Sequence, residues 1–388
     1  QPACMSPDRP RTLIVGAGVS GLCVATFLAR RGHDVEVWES EAQPGGLLQP
    51  VRFRDVACDR GSHRVHADAL PLLRQAAPEL TWAERPRRGR LVFSGGDGGH
   101  CRQVPYPLRL GGFLHGLGPT QALRFALGFL CRDASLRKYI DWERDRTRAM
   151  AATDDTGDAG GDAATADDPG FAHFVQERVG RAAYDAFYRP YVEKVWGLPA
   201  DQISKSVAKK RVSTARPLQV LRGALLPRLP LWRATTQPRE SGTFLYPPQG
   251  TGALVDALRA QAAALGIPIH LGRAYRGDSD HTRVVYTGHI SDLLQNEGPA
   301  ATLSHRGLYL LYLALPTPTL GAVDTFYVPG DDLWFGRVSL PMNFSPQLAV
   351  RGETILCVEI PEGRWGPGQD FTQPDLLRQV LAQLVRAG

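Results

Sequence analysis

The fold is decided by a stretch near the start of the chain, Thr12-Leu13-Ile14-Val15-Gly16-Ala17-Gly18-Val19-Ser20-Gly21. Its first residues predict a short buried strand, and the G-x-G-x-x-G pattern that follows predicts a turn into a helix. Leu22–Arg31 has the apolar spacing of that helix, which Gly32 ends. Asp34–Trp38 predicts a second buried strand, and Glu39 closes it. Together these features predict a dinucleotide-binding βαβ unit that opens at Thr12 and closes at Glu39.

Each residue type in the turn suits a phosphate-binding loop. Gly16 permits the tight turn, Gly18 lets the backbone approach a pyrophosphate, and Gly21 lets the helix pack closely on the strand. Val19 and Ser20 belong to the turn and lead into the helix, whose unpaired N–H groups and positive dipole end face the phosphates. The alternative is a glycine turn in an unrelated α/β protein.

Glu39 adds a second contact to the predicted unit. Its carboxylate can accept hydrogen bonds from ribose hydroxyls and would repel a 2′-phosphate, which disfavours NADP. The βαβ unit alone does not separate FAD from NAD.

Composition limits the function classes. The chain has 388 residues, 43% of them hydrophobic, and a net charge of +6 from 45 Lys and Arg against 39 Asp and Glu. That length predicts two domains. The mild positive charge suits an anionic small molecule, and no basic tract interleaved with aromatic residues indicates nucleic-acid binding.

The cysteine pattern and the hydropathy indicate a cytoplasmic protein. None of the cysteines forms a C-x-x-C pair, which argues against a zinc site and against a disulfide framework. No apolar run approaches the roughly 20 residues of a membrane span, and residues 1–10 contain no apolar signal region. The six cysteines are Cys4, Cys23, Cys58, Cys101, Cys131 and Cys357.

The rest of the chain predicts further elements and one insertion. Residues 151–170 are rich in Asp, Ala and Gly and predict a flexible insertion; a metal site there is the less favoured interpretation. Predicted helices cover Thr120–Cys131, Phe171–Tyr191, Ala253–Leu265 and Leu376–Val385, and predicted strands cover Ile267–Leu271, Arg283–Tyr286, Leu308–Leu315 and Thr354–Ile360.

The residues after Glu39 point to a particular family. Glu39-Ser40-Glu41-Ala42-Gln43-Pro44-Gly45-Gly46-Leu47 resembles the E-x(3–4)-R-x-G-G extension of two-domain flavoproteins of the amine oxidase and protoporphyrinogen oxidase superfamily. The resemblance implies FAD as the cofactor, with Gln43, Gly45 and Gly46 along its pyrophosphate. Gln43 stands where the family usually has Arg.

Four further segments carry the same resemblance. Asp59–His66 resembles the D-x-G-x-H-R-F segment that runs beside the isoalloxazine ring, and also the G-P-H-x-F-H segment of UDP-galactopyranose mutases; this implies cofactor contacts for Gly61 and Ser62. The remaining three are Tyr191–Pro199 (Y-x-x-K-x-W-G-x-P in both groups), Tyr246–Leu254 (Y-P-x-G-G-x-x-x-L in the oxidase group) and Val284–Thr287, similar to the strand that returns to the cofactor domain.

The resemblance implies an α/β fold with two domains. The first is a Rossmann-like, three-layer ββα FAD domain built from residues 11–66 and 243–294. The second is a mixed α+β substrate domain built from residues 67–242 and 295–388, with the insertion at 151–170. Family members continue beyond the point where this sequence stops. A fragment, a natural shortening, and a partner chain or second copy that completes the flavin site are the three explanations.

Four candidate catalytic residues follow from these segments. His63 would lie over the flavin and tune its charge, or is a hydrogen-bonded structural histidine. Trp196 would form a flat wall for a substrate ring, or is an aromatic core residue. Tyr191 and Lys194 share that segment, and a surface pair of Lys194 with Glu193 is the alternative for the lysine.

Arg306 and Arg337 complete the candidates. A guanidinium on the predicted substrate sheet can clamp a carboxylate or phosphate through two hydrogen bonds. A surface position is the alternative for each.

Three functions stay open. The first is an FAD-dependent oxidoreductase that oxidises a small biosynthetic intermediate by hydride transfer to flavin N5. The second is a flavin-dependent isomerase that acts on a nucleotide sugar, as UDP-galactopyranose mutases do. The third is a degenerate or partner-dependent flavin-binding protein without activity of its own.

Overall fold

A computed structural model describes residues 11–65, 67–94, 99–106, 120, 123–125, 170–211, 243–294, 303, 305–363 and 365–388. The predicted insertion, apart from Gly170, lies outside the described residues, as do His66 and most of the helix predicted over Thr120–Cys131. No helix in the described ranges is long and apolar enough to cross a membrane.

The described elements are numbered in chain order. The strands are β1 (Arg11–Val15), β2 (Asp34–Glu39), β3 (Val51–Phe53), β4 (Val56–Cys58), β5 (Ala83–Pro86), β6 (Gly89–Phe93), β7 (Arg102–Tyr106), β8 (Thr243–Tyr246), β9 (Ile269–Leu271), β10 (Arg283–Tyr286), β11 (Leu308–Leu315), β12 (Thr325–Tyr327), β13 (Arg337–Ser339) and β14 (Thr354–Pro361). The helices are α1 (Val19–Arg30), α2 (Leu70–Ala76), α3 (Gly170–Val179), α4 (Arg181–Ala183), α5 (Arg189–Trp196), α6 (Lys205–Arg211), α7 (Gly252–Ala264), α8 (Ile290–Leu293), α9 (Pro341–Phe344) and α10 (Pro374–Ala387).

The chain forms two compact units. Unit 1 comprises Gln1–Arg88, Gly242–Thr325 and Val338–Ile360, and unit 2 comprises Gly89–Ser241, Phe326–Arg337 and Pro361–Gly388. Residues 67–88, 295–325 and 338–360 therefore belong to the same compact unit as the βαβ segment. The assignment of cofactor and substrate roles to particular domains stays a prediction.

Unit 1 contains a parallel sheet in the order β10-β1-β2-β9. Its central strand β1 is apolar from Leu13 to Val15 because both of its faces are covered there, and Leu13 and Ile14 are fully buried. Helices α1 and α7 pack on this sheet through one apolar cluster that includes Leu22, Leu254 and Leu258. This arrangement confirms the predicted α/β class with a Rossmann-like core.

Three more strand groups complete unit 1. Strands β11, β14 and β13 lie side by side in that order, β3 pairs with β4, and β5 pairs with β8. All eight residues of β14 are buried, including the charged Glu359. Parallel and antiparallel pairings coexist in this unit, so the sheets are mixed.

Unit 2 contains a sheet portion in the order β12-β6-β7 and a group of helices. The single helix predicted over Phe171–Tyr191 is wrong, because Gly180 has a φ of +83° and separates α3 from α4. A π-helical turn, Tyr184–Tyr188, then leads into α5. Such turns shift the register of the side chains that follow and recur at functional sites.

Most other predicted elements are present with shifted ends. Helix α1 begins at Val19 rather than Leu22, α7 and α10 match their predictions to within two residues at each end, and β9 begins at Ile269 rather than Ile267. Strands β10 and β11 have the predicted bounds.

Candidate dinucleotide site

The glycine turn after β1 leaves space where a ligand would approach and none where the helix packs. Gly16 has a φ of +100°, a conformation that favours glycine. A Cβ on Gly21 would lie 1.9 Å from the Gly16 carbonyl oxygen, whereas a Cβ on Gly18 would meet nothing within 4 Å. Thr287 closes the turn from behind, since its hydroxyl donates to the Val15 carbonyl oxygen over 2.8 Å.

The first turn of α1 starts directly on this loop. Gly18 is the N-cap in an extended conformation, and the Leu22 N–H donates to the Gly18 carbonyl oxygen over 3.0 Å. Helical geometry leaves the N–H groups of Val19, Ser20 and Gly21 without an intrahelical acceptor. These groups can therefore receive an anion at the open side of Gly18.

Glu39 lies at the end of β2 beside the turn and is 8% exposed. Its Oε2 accepts the N–H of Ala17 over 2.7 Å, and its Oε1 accepts the N–H of Glu41 over 2.9 Å. Oε1 also accepts the Ser40 hydroxyl over 3.3 Å, so Oε2, which has a second lone pair, is the oxygen that can also accept a ribose hydroxyl. The residues fit the ribose contact that the sequence predicts.

The Gly45-Gly46 extension packs directly on the glycine turn. The Gly45 N–H donates to the Ala17 carbonyl oxygen over 2.9 Å, and Gly18 and Gly45 form a parallel β-bridge. A Cβ on Gly46 would lie 3.5 Å from the Cα of Gly18. Gln43, on the same loop, is exposed and accepts a hydrogen bond from the Nε2 of Gln49 over 3.1 Å.

Asp59 fixes the segment that follows β4. Its side chain accepts the hydroxyl of Tyr246 over 2.5 Å and the N–H of Thr251 over 2.7 Å, and all three residues are buried. Burial raises the pKa of Asp59, and the bonds from Tyr246 and Thr251 and the nearby His63 oppose that rise. Two segments that carry the family resemblance, 59–66 and 246–254, are thus joined by this carboxylate.

The backbone N–H groups of Gly61 and Ser62 donate hydrogen bonds to side chains of unit 1. The N–H of Ser62 donates to the Oε1 of buried Glu359 over 2.9 Å, and that of Gly61 donates to the Tyr312 hydroxyl over 3.3 Å. The Tyr312 hydroxyl in turn donates to the Asp59 carbonyl oxygen over 2.6 Å. Glu359 and Tyr312 are not among the residues predicted from the sequence, because no local pattern pairs them with residues about 250 to 300 positions earlier.

His63 is half-buried and bonds within its own loop. Its Nε2 lies 2.8 Å from the Arg60 carbonyl oxygen. A carbonyl oxygen only accepts, so Nε2 carries the hydrogen and Nδ1 is left as the acceptor atom of a neutral ring. This bond fits the structural interpretation of His63 and leaves one ring nitrogen for another group.

Lys194 lies in unit 2 and clamps a loop. Its ammonium donates to the carbonyl oxygens of Val328 over 3.2 Å, Gly330 over 2.7 Å and Phe335 over 2.8 Å. An ammonium has three N–H donors, and these bonds engage all of them. Glu193, the alternative partner considered from the sequence, accepts the N–H of Ala200 over 3.1 Å.

Tyr191 belongs to an aromatic cluster in unit 2. Its ring stacks on buried Phe187 at 5.6 Å and meets Tyr327 edge-on at 6.0 Å, and Tyr106 joins both of those rings. Trp196, at the end of α5, is 40% exposed, so it is not the core residue of the alternative interpretation.

The two arginine candidates occupy different units. Arg306 is exposed in unit 1, and Arg337 begins β13 and belongs to unit 2.

Within the described ranges, no group of three or more His, Cys, Asp or Glu side chains is placed to hold a metal ion. Burial raises the pKa of the Cys23 and Cys58 thiols to about 11, with Asp59 adding to the rise at Cys58, so both are protonated at neutral pH.

Comparisons with known proteins agree with this geometry. Residues 14–78 match the family described as NAD(P)-binding Rossmann-like domain. Kynurenine 3-monooxygenase of Salinispora tropica is 30% identical over 138 residues, which are 35% of this chain and 29% of that protein. The chain thus spans less than a third of that relative's length.

Solved structures of the same fold span nearly the whole chain. A reduced UDP-galactopyranose mutase aligns with a TM-score of 0.70 at 19% identity, covering 97% of this chain and 79% of its own. A candidate protoporphyrinogen oxidase from Exiguobacterium sp. 255-15 aligns with a TM-score of 0.64 at 16% identity, covering 99% and 84%. A putrescine oxidase aligns with a TM-score of 0.53 at 16% identity, covering 98% and 81%.

These comparisons confirm the resemblance inferred from the sequence at the level of fold. The chain carries a Rossmann-like dinucleotide-binding domain and shares its fold with oxidases and with a mutase. At these identities the fold does not select one reaction.

Proposed function

We propose that the protein is an FAD-dependent oxidoreductase that acts on a small molecule. The observation that carries the proposal is the packing of the Gly45-Gly46 extension on the glycine turn, through the Gly45–Ala17 bond and the Gly18–Gly45 bridge. A dinucleotide unit does not need this extension, and the sequence resemblance links it to FAD. The similarity to an oxidase of the same fold supports the assignment.

The residues of unit 1 fit the cofactor at three points. The open side of Gly18 and the first N–H groups of α1 would hold the pyrophosphate, and Glu39 would accept the ribose hydroxyls. Gly61 and Ser62 would border the ring system, on a backbone that Glu359 and Tyr312 hold in place. Bound FAD would supply the hydride acceptor at flavin N5.

The side chains of the protein would bind and orient the substrate. His63 keeps Nδ1 as an acceptor and would hold a proton or orient a polar substrate group. Tyr191 and Trp196 would present aromatic faces to a flat or apolar substrate, and Arg306 or Arg337 would bind a carboxylate or phosphate. Lys194 would hold the loop at 328–335 in place within unit 2.

The visible absorption spectrum tests the proposal. We expect the purified chain, mixed with FAD and desalted, to keep a flavin band in near-equal molar ratio. A variant with Gly18→Asp, which places a negative charge at the open side of the turn, serves as the matched control and should be colourless. A colourless wild-type protein would contradict the proposal and favour the degenerate or partner-dependent alternative.

A flavin-dependent isomerase acting on a nucleotide sugar is the second candidate. The aromatic cluster of Tyr106, Phe187, Tyr191 and Tyr327 supports it, since its three tyrosines are only partly buried and tyrosine rings stack well on a nucleobase. Assays with UDP-sugars separate the two candidates. Turnover that requires reductant but consumes no electron acceptor would favour the isomerase, whereas acceptor-dependent turnover of an amine or a similar substrate would favour the oxidoreductase.

A further inference from the structure

A chain of polar side chains links Arg60 to the position where the family resemblance places an arginine. The Arg60 guanidinium donates to the Oε1 of Gln49 over 2.8 Å. The Nε2 of Gln49 donates to the Oε1 of Gln43 over 3.1 Å. These two bonds fix the orientation of both amide groups, and they leave the Nε2 hydrogens of Gln43 for another acceptor.

This chain lies against the Gly45-Gly46 extension, which packs on the glycine turn. A Cβ on Gly45 would lie 3.1 Å from the Cα of Gln49, and the Gln49 N–H donates to the Gly46 carbonyl oxygen over 3.2 Å. Gly45 is itself bridged to Gly18, whose outer side is open. Gln49 is therefore packed on the loop that borders the proposed pyrophosphate position, and Arg60 is bonded to Gln49.

A second arginine lies near Gln43 but is differently placed. Arg259, on α7, lines a groove of about 360 Å³ together with Gln43, Gln49 and Leu271. Its guanidinium lies 3.7 Å from the carboxylate of Asp256, one turn earlier on the same helix. That carboxylate offsets the charge of Arg259, whereas the guanidinium of Arg60 donates to a neutral amide.

The geometry points to Arg60 as the residue that binds the pyrophosphate of the dinucleotide and supplies the positive charge that Gln43 lacks. Gln49 and Gln43 would hold its guanidinium in place through their hydrogen bonds. The inference rests on the proposed FAD site. A guanidinium is the preferred group for such a contact, because its planar fork of donors matches phosphate oxygens. The side chain of Arg60 is exposed, so it can turn toward a bound anion at little cost to the fold.

Flavin titration of the FAD-free protein tests the inference without any assay of turnover. We expect Arg60→Gln to weaken FAD binding by about ten-fold, the size of one lost charge-assisted contact, and to reduce the salt dependence of the dissociation constant. Arg259→Gln is the matched control and should stay within about two-fold of wild type. Thermal unfolding should be the same for all three proteins, because both side chains are exposed.

A rescue variant makes the test specific. In Arg60→Gln, the added substitution Gln43→Arg restores a guanidinium at the position that the family resemblance indicates, and we expect it to recover most of the lost affinity. Equal affinity of Arg60→Gln and wild type, or a larger loss in Arg259→Gln, would overturn the inference and leave the proposed function intact. A wild-type protein that binds no FAD would overturn both.

Discussion

The glycine turn in unit 1 and the Lys194 clamp in unit 2 both lie in segments that resemble the same family, yet they hold the structure in opposite ways. At the turn, most contacts are made by the backbone with partners within a few residues or on the next strand, and the Thr287 hydroxyl is a distant exception. At Lys194, one side chain collects three carbonyl groups from residues 134 to 141 positions later. The spacing of glycines in the sequence therefore predicts the geometry of the turn, whereas the sequence around Lys194 does not predict which distant carbonyl groups its side chain contacts.

Substitution at Gly21 tests the close packing at the glycine turn and has the largest expected effect on stability. We expect Gly21→Val to lower the free energy of unfolding by about 3 kcal/mol or more, because its Cβ would overlap the Gly16 carbonyl oxygen. Thermal and urea unfolding of the purified variant measure the loss. Gly18→Ala is the control: its Cβ meets open space at a φ of −71°, so the fold should keep its stability while FAD binding falls.

A stable Gly21→Val protein would mean that helix α1 can move away from β1. A Gly18→Ala protein that binds FAD as well as wild type would mean that the pyrophosphate does not approach this face.

Replacement of Lys194 tests how much its three hydrogen bonds contribute to the stability of unit 2. We expect Lys194→Met to lower the free energy of unfolding by about 2–3 kcal/mol, because three carbonyl groups lose a charged donor. Calorimetry of the cofactor-free protein measures this, which separates stability from catalysis. Arg181→Met, at a side chain that is 86% exposed, is the control and should change stability by less than about 0.5 kcal/mol.

An unchanged unfolding temperature in Lys194→Met, combined with lost activity, would assign Lys194 to the chemistry rather than to the loop.

The buried link between Asp59 and Tyr246 extends the comparison to a side-chain contact inside unit 1. We expect Tyr246→Phe to cost about 1–2 kcal/mol, since the ring still fills its site while the Asp59 carboxylate loses one of its donors. Urea unfolding at pH 7 gives the difference. Tyr275→Phe, which keeps its ring contacts with Trp38 and Tyr286, serves as the matched control; equal losses in both variants would contradict the role of the hydroxyl.

The smallest expected effect is a pH dependence that belongs to Asp59. Burial raises the folded-state pKa of this carboxyl above its unfolded value of about 3.9. The folded protein therefore binds the proton more tightly, and this stabilisation is complete below about pH 3.9 and is lost as the pH rises through the raised pKa. We expect the stability of wild type relative to Asp59→Asn to fall as the pH rises between the two pKa values, with a slope of up to about 1.4 kcal/mol per pH unit.

Unfolding temperatures of both proteins at half-unit steps from about pH 4 to pH 8 test this expectation. A difference that rises with pH would mean that the hydrogen bonds from Tyr246 and Thr251 outweigh burial.

Much of unit 1 could be predicted from the sequence because its signals are local. The apolar run at 12–15, the three glycines of the turn and the acid at Glu39 each act on neighbours in the chain or on the adjacent strand, so their spacing carries the geometry. The predicted start of α1 is three residues late, since Gly18 caps the helix without a side chain that would mark it.

The rest of the candidate site depends on contacts that no local pattern records. Glu359 meets Ser62 across 297 residues, and Tyr246 meets Asp59 across 187. In the sequence, Glu359 is one charged residue in an apolar strand. Its contact with Ser62 can be recognised only once the position of β14 in unit 1 is known. In unit 2, the predicted helix runs through Gly180, whereas the positive φ of that glycine breaks the helix.

The hydroxyl of Thr287 behind the glycine turn also sets an order of events during synthesis. It reaches the carbonyl groups of Val15 and Gly16 across more than 270 residues, on the segment that follows the edge strand β10. At about 5–20 residues per second, a ribosome needs roughly fifteen seconds to a minute to make that stretch. Until then one edge of the nascent β1 lacks its partner strand β10, so a chaperone that covers this edge would protect the N-terminal βαβ segment.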